Sequence, residues 1–204
     1  MEQTPPGESS SLAGKQKGRA LLPAGLLAAL ALAILVGSAL AATNLVANGS
    51  FEKDTNGDGI PNKWAGISLT AADKRVCNQS YAGACSFKMV GDGNSKALYQ
   101  IILISGVSGD QFNLVVWTKG KDIDYGGGNI GWGMYFHNPE DGLWYLGGGL
   151  GNSDDGSSPW TLSSLYVSAT APTFDAIKVQ LFFKADSGKA WFDKVKLLAV
   201  PPPG

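Results

Sequence analysis

Beyond residue 42 the chain is a succession of short apolar runs separated by clusters of Gly, Asn, Asp and Pro. Several runs alternate with a period of two. In 176–184, Ile177, Val179, Leu181 and Phe183 fall on one face and Lys178, Gln180, Phe182 and Lys184 on the other. In 111–119, Phe112, Leu114 and Val116 oppose Asn113, Val115 and Trp117. The pattern predicts strands over 86–90, 97–104, 111–119, 129–137, 143–146, 160–169, 176–184 and 190–198. It predicts Gly-, Asp- and Ser-rich loops over 122–128, 138–142 and 147–159. Helical periodicity is scarce after the leader, so the fold class is all-β, an antiparallel sandwich or barrel.

The first 42 residues differ. A polar start carrying Lys15, Lys17 and Arg19 gives way to an uncharged stretch, 20–42, that predicts one hydrophobic helix. It closes on Ala39-Leu40-Ala41, the small-x-small pattern of a signal peptidase site. A mature chain then begins near Ala42 or Thr43; an uncleaved membrane anchor is the alternative, since the stretch could span a bilayer. Either way the basic flank places the remainder outside the cytoplasm. Residues 43–199 are long enough for one domain with its own core, and 200–204 form a proline-rich tail.

Net charge is −1 over 204 residues, which gives no basic footprint for nucleic acid. Two cysteines, Cys77 and Cys85, stand close together. In an exported chain such a pair reads as a disulfide, worth about 2–3 kcal/mol on the loop-entropy estimate. A metal or redox pair would need further Cys or His ligands nearby, which are missing from the local sequence.

The stretch 44–64 carries Glu52, Asp54, Asn56 and Asp58, with Gly57 and Gly59 between them. Oxygen donors at i, i+2 and i+4 on a glycine-bent loop suit Ca²⁺, but Ala65 stands where an EF-hand needs Glu. A complete EF-hand is excluded; a polar turn solvating a strand connection is the alternative.

NGSFE at 48–52, the DTNGDG loop, the IPNKW stretch ending at Trp64 and WFDKVKL at 191–197 together resemble carbohydrate-binding modules of the family 4/9/16/22 type. YAGACSFK at 81–88, GDQF at 109–112, Trp117-Thr-Lys119 and Trp160 match in the same order. The resemblance implies a galactose-binding-like jelly-roll β-sandwich with a structural Ca²⁺ where the first and last strands meet; the chain is expected to be a monomer. By position it implies that Glu52 and Asp193 are calcium carboxylates, with 44–64 as opening strand and clasp, and that Trp64, Trp160 and Trp191 pack structurally.

Sugar binding needs aromatic rings for the apolar pyranose face and polar groups for its hydroxyls. Alternation presents Trp117, Tyr135 and Phe182 opposite the aliphatic core, with Asn113, Gln180 and His137 in matching positions. In 129–137, Gly131 and Gly133 leave a trough beside Tyr135, while Ile130, Trp132, Met134 and Phe136 read as core. Trp144 and Tyr145 could rim the groove or be buried. Glycoside hydrolysis requires two carboxylates flanking one bond, and acids outside the 44–64 region and Asp193, such as Glu140, Asp141, Asp154 and Asp155, lie in Gly- and Ser-rich loops without a strand-borne partner. No G-x-S-x-G or phosphate loop is present, and His137 is the single histidine. The expectation is an exported, non-catalytic module binding a polysaccharide or cell-surface glycan. An adhesive surface domain without a sugar site, or an accessory domain of a glycoside hydrolase, are the alternatives.

Overall fold

The computed structural model describes residues 43–201. The predicted leader, hydrophobic helix 20–42 and the tail residues 202–204 lie outside them. Ten strands form two antiparallel five-stranded sheets: β1 (Ala65–Ile67), β2 (Lys74–Val76), β3 (Ser86–Val90), β4 (Lys96–Val107), β5 (Gln111–Asp124), β6 (Asn129–His137), β7 (Trp144–Asn152), β8 (Gly156–Ser168), β9 (Thr173–Lys184) and β10 (Ser187–Val200). One sheet has the order β1-β4-β9-β6-β7 and the other β2-β3-β10-β5-β8. Among the described residues there is no helix.

The inward faces carry the alternation read from the sequence. Ile177, Val179, Leu181 and Phe183 of β9 and Met134 and Phe136 of β6 are fully or almost fully buried, facing Leu114 and Val116 of β5 and Phe192 and Leu197 of β10. The strands that frame the site therefore follow from period-two patterning and β-branched or aromatic content.

Three expectations need correction. Most of 147–159 is strand rather than loop, because Gly147–Asn152 continues β7 against β6 and β8 begins at Gly156. Five glycines in that stretch imitate loop composition, yet Gly148, Gly149 and Gly151 pair with β6, and the bare Gly147 leaves room for the Phe136 ring. The short strands β1 and β2 were not predicted; three residues each carry too little pattern. The segment 44–64 is not an opening strand but a run of turns laid along β10. Leu45 N–H donates to Leu197 O, Val195 N–H to Gly49 O and Leu197 N–H to Asn44 Oδ1.

A buried ion cluster ties the β3–β4 corner. Lys96, 2 % exposed, donates to Asp73 Oδ2 at 2.9 Å and Val90 O at 2.7 Å and pairs with Asp92 at 2.8 Å. Asp73 in turn accepts from the Val90 and Thr70 amides. The ammonium and the Asp73 carboxylate brought inside are thereby hydrogen-bonded, which such burial demands.

Candidate functional site

β9 runs through the centre of its sheet, and burying its aliphatic face turns Lys178, Gln180 and Phe182 outward. Register then decides what lies beside them. Phe182 is opposite Ala97 and Gly131, Gln180 opposite Tyr99 and Gly133, and Lys178 opposite Ile101 and Tyr135. On β7, Leu146 faces Tyr135 and Trp144 faces His137. Tyr99, Tyr135, Trp144 and Phe182 thus share one solvent-facing surface with Gln180, Lys178 and His137, all part-exposed.

Glycines shape this surface. A Cβ on Gly131 would sit 2.1 Å from Phe182 Cζ, so the missing side chain lets the phenyl ring lie across the neighbouring strand. A Cβ on Gly133 would come no nearer than 3.9 Å to the Tyr135 ring. The two rings therefore flank a shallow gap floored by β6 backbone.

Lys178 Nζ lies 4.4 Å from the Tyr135 ring centroid and 5.0 Å from that of Trp144. Burial among these rings lowers its pKa below 10.5. His137 Nδ1 lies 2.6 Å from Asp175 Oδ1, and its ring is 5.0 Å from Trp144. Past Phe182, a cavity of about 690 Å³ opens among Tyr125, Asn129, Gly151, Asn152, Asp155 and Lys184. Burial foremost, then Asp155 and Asp154, push the Tyr125 hydroxyl up to about 12.

Of the residues predicted to contact a ligand, Tyr135, Phe182, Gln180 and His137 come together here. Trp117 and Asn113 do not. Both are on β5 of the other sheet, whose outer face points the opposite way. Tyr81 stacks on Trp117 with centroids 3.5 Å apart, and Asn113 Oδ1 accepts from Ser164 Oγ at 2.7 Å. Alternation correctly gave each side chain's direction within its strand, but it carries no information on which sheet the strand joins. Trp144 joins the face, whereas Tyr145 turns to the core side and its hydroxyl donates to Asp141 Oδ2. Trp64 and Trp191 are buried, and Trp160 meets Tyr81 edge-on.

Tyr99 and Lys178 belong to the face and were not singled out as contacts. Tyr99 sits in KALYQIILIS, apolar on both strand faces, so period two cannot separate core from surface there. Lys178 was legible as outward-facing, but only register shows its ammonium between two rings.

Glu52 and Asp193 converge on the loop closed by the Cys77–Cys85 disulfide. Asp193 is fully buried; its Oδ2 accepts from the Tyr81 and Ala82 amides and its Oδ1 from Lys194 N–H. Burial raises its pKa above 3.8, against the pull of these donors. Glu52 Oε1 accepts from Ala84 and Cys85 N–H, and Arg75 donates to the carbonyls of Phe51 and Glu52. Calcium takes six to eight oxygen ligands; several oxygens of this pair and of the neighbouring carbonyls here accept from amides and a guanidinium. In the 54–58 turn, Asp54 accepts from Gly57 and Gly59 N–H, Asp58 from Ile60 N–H and the Asn56 amide. Those side chains act as turn caps.

No family model matches the sequence, and no curated protein matches it. Solved structures do share the fold. A family 16 carbohydrate-binding module aligns with a TM-score of 0.57 at 19 % identity, over 76 % of this chain and 99 % of that one. A family 61 carbohydrate-binding module in complex with β-1,4-galactotriose gives 0.52 at 13 %, over 78 % and 99 %. A protein from Bacteroides thetaiotaomicron described as sugar-binding gives 0.53 at 12 %, over 78 % and 100 %. At these identities the likeness is one of fold: the chain is a jelly-roll β-sandwich, the fold it shares with these modules.

Proposed function

We propose that the protein is an exported, non-catalytic carbohydrate-binding module whose site is the outer face of the β1-β4-β9-β6-β7 sheet. One observation carries the reading: Tyr135 and Phe182, placed by register on adjacent strands, flank a gap floored by Gly133, with Gln180 directly opposite that glycine. Rings of this kind offer stacking surface to a pyranose, and the amide reaches its hydroxyls. Along β9, Lys178 and Phe182 are four residues apart, roughly 13 Å at the usual strand rise. That length suits a chain of sugars better than a single ring. Recognition without reaction is supported by the charges present: among the outward residues of this sheet Asp175 is the carboxylate beside the rings, and it is engaged by His137. A pair flanking one glycosidic bond is what hydrolysis would require. The disulfide and the signal-like leader favour export.

Affinity electrophoresis of the purified protein on a broad glycan panel tests this. Retardation is expected for at least one polysaccharide, with Tyr135→Ala and Phe182→Ala each weakening it by roughly tenfold, the upper range for one aromatic contact. Trp117→Ala should leave it unchanged. Loss of binding in Trp117→Ala alone would place the site on the other sheet.

An adhesive surface role is the second reading, favoured by Leu103, Ile101 and Ile67 of the same sheet, 86 %, 48 % and 47 % exposed. Protein capture by this face without any glycan retardation would favour it.

A further inference from the structure

We propose that the glycan bound on this face is acidic, with a uronate carboxylate seated on Lys178. The inference rests on the carbohydrate-binding reading and specifies its ligand class.

The centre of the face carries an unbalanced charge. Lys178 projects between Tyr135 and Trp144, with Ile101 and Leu146 completing its row across the sheet. Among the described residues the ion pairs within 4.0 Å are Lys96–Asp73, Lys96–Asp92 and His137–Asp175. Lys178 is in none of them. Asp175, the nearest acid along β9, is held by His137 instead. The ammonium is thus a partly desolvated charge, supported by ring faces and by no counter-ion.

A ligand that stacks on these rings must cover this charge. A neutral sugar would strip its remaining water and return only hydroxyl hydrogen bonds. A carboxylate returns a charge-assisted hydrogen bond, roughly twice as strong as a neutral one. The rings stay available for stacking, because a uronate keeps the apolar face of its pyranose. Acids do occur past Phe182, at Asp124 and Asp155. They lie more than roughly 13 Å along the sheet from Lys178, beyond the distance at which salt screens exposed charges. Lys184 stands between. Glu140 and Asp141 stand in the β6–β7 turn beyond Trp144 and, like Asp175, form no ion pair with Lys178. The seat for the carboxylate is therefore set by the ammonium held between the Tyr135 and Trp144 rings, not by the charge of either end.

The test is isothermal titration of the full protein with polygalacturonate and glucuronoxylan, set against galactan, β-glucan, unsubstituted xylan and dextran sulfate. An acidic polysaccharide should bind more tightly than its neutral counterpart. Added salt should erode that margin. Lys178→Gln should weaken acidic-glycan binding roughly tenfold, the equivalent of about 1.4 kcal/mol for one charge-assisted bond. Lys178→Arg should restore most of it. Lys196→Gln, which removes an exposed charge from the other sheet, should change nothing and so controls for bulk attraction. If neutral galactan or xylan binds and the acidic polymers do not bind better, this inference fails while the carbohydrate-binding reading stands. If Lys178→Gln and Lys196→Gln act alike, or dextran sulfate binds as well as the uronates, the carboxylate seat is wrong. Failure of every polysaccharide to bind overturns both.

Discussion

At the residue scale, the buried charges carry most of the fold's sensitivity. Lys96 is enclosed with Asp73, with the part-exposed Asp92 at the rim, and removing Lys96 leaves the Asp73 charge uncompensated inside. Lys96→Met should cost about 3–5 kcal/mol, read as a lowered midpoint in urea. The pair also sets a pH window. Asp92 is held below 3.8 first by its hydrogen bond to Lys96. Its contribution is therefore complete above the unfolded carboxylate pKa and is lost as pH falls through the depressed folded value. For Lys96 desolvation pulls downward, but hydrogen bonds to Asp92 and Asp73 outweigh it and raise the pKa above 10.5. That contribution is present below the unfolded lysine pKa and disappears as pH rises through the raised folded one. Asp193 runs the other way. Its raised pKa means protonation relieves a burial cost, so acid should not unclasp it. Thermal midpoints measured across pH should stay flat through neutrality and drop at both extremes. Lys96→Met should weaken both dependences; an unchanged profile would remove the pair from the account.

At the element scale, the strands were legible where one face is apolar and the other polar, as in β6 and β9. Where both faces are apolar, as in β4, the pattern located the strand but hid Tyr99. Where glycines dominate, as in β7, composition misled, since it mimics a loop until the partner strand is known. The N-terminal segment was misread for another reason. Its side chains cap its own turns and its backbone zips onto β10, contacts that period two cannot encode. Two predictions belong here. Gly131→Ala would meet both the Phe182 ring and, at 2.6 Å, the Leu150 carbonyl oxygen of β7, so it should weaken glycan binding and lower the melting temperature together; unchanged stability would show that the β6–β7 pairing can widen at this point. The clasp around Glu52 and Asp193 consists of amides and a guanidinium, so a chelator should leave the melting temperature unchanged. A drop of several degrees on chelation, reversed by Ca²⁺, would restore the ion to the clasp.

At the scale of the whole molecule, the sandwich divides its aromatic residues between two outward surfaces with different work. On the β2-β3-β10-β5-β8 side, Tyr81 covers Trp117 and meets Trp160, fastening the disulfide loop to the sheet. On the opposite side, the rings of Tyr99, Tyr135, Trp144 and Phe182 are part-exposed, with no such cover from another segment among the described residues. Sheet membership, set by contacts far apart in sequence, makes this division, and it is why Trp117 looked equivalent to Phe182 before the strands were assembled. The central claim is that recognition occurs on the uncovered side. It is tested most directly by backbone-amide NMR during titration with an oligosaccharide of whichever polysaccharide the protein retains. The account predicts shifts concentrated on β4, β9, β6 and β7 around Gln180, Phe182, Gly133 and Tyr135, with β5 and β8 silent. Shifts confined to β5, β8 and the 77–85 loop would contradict it.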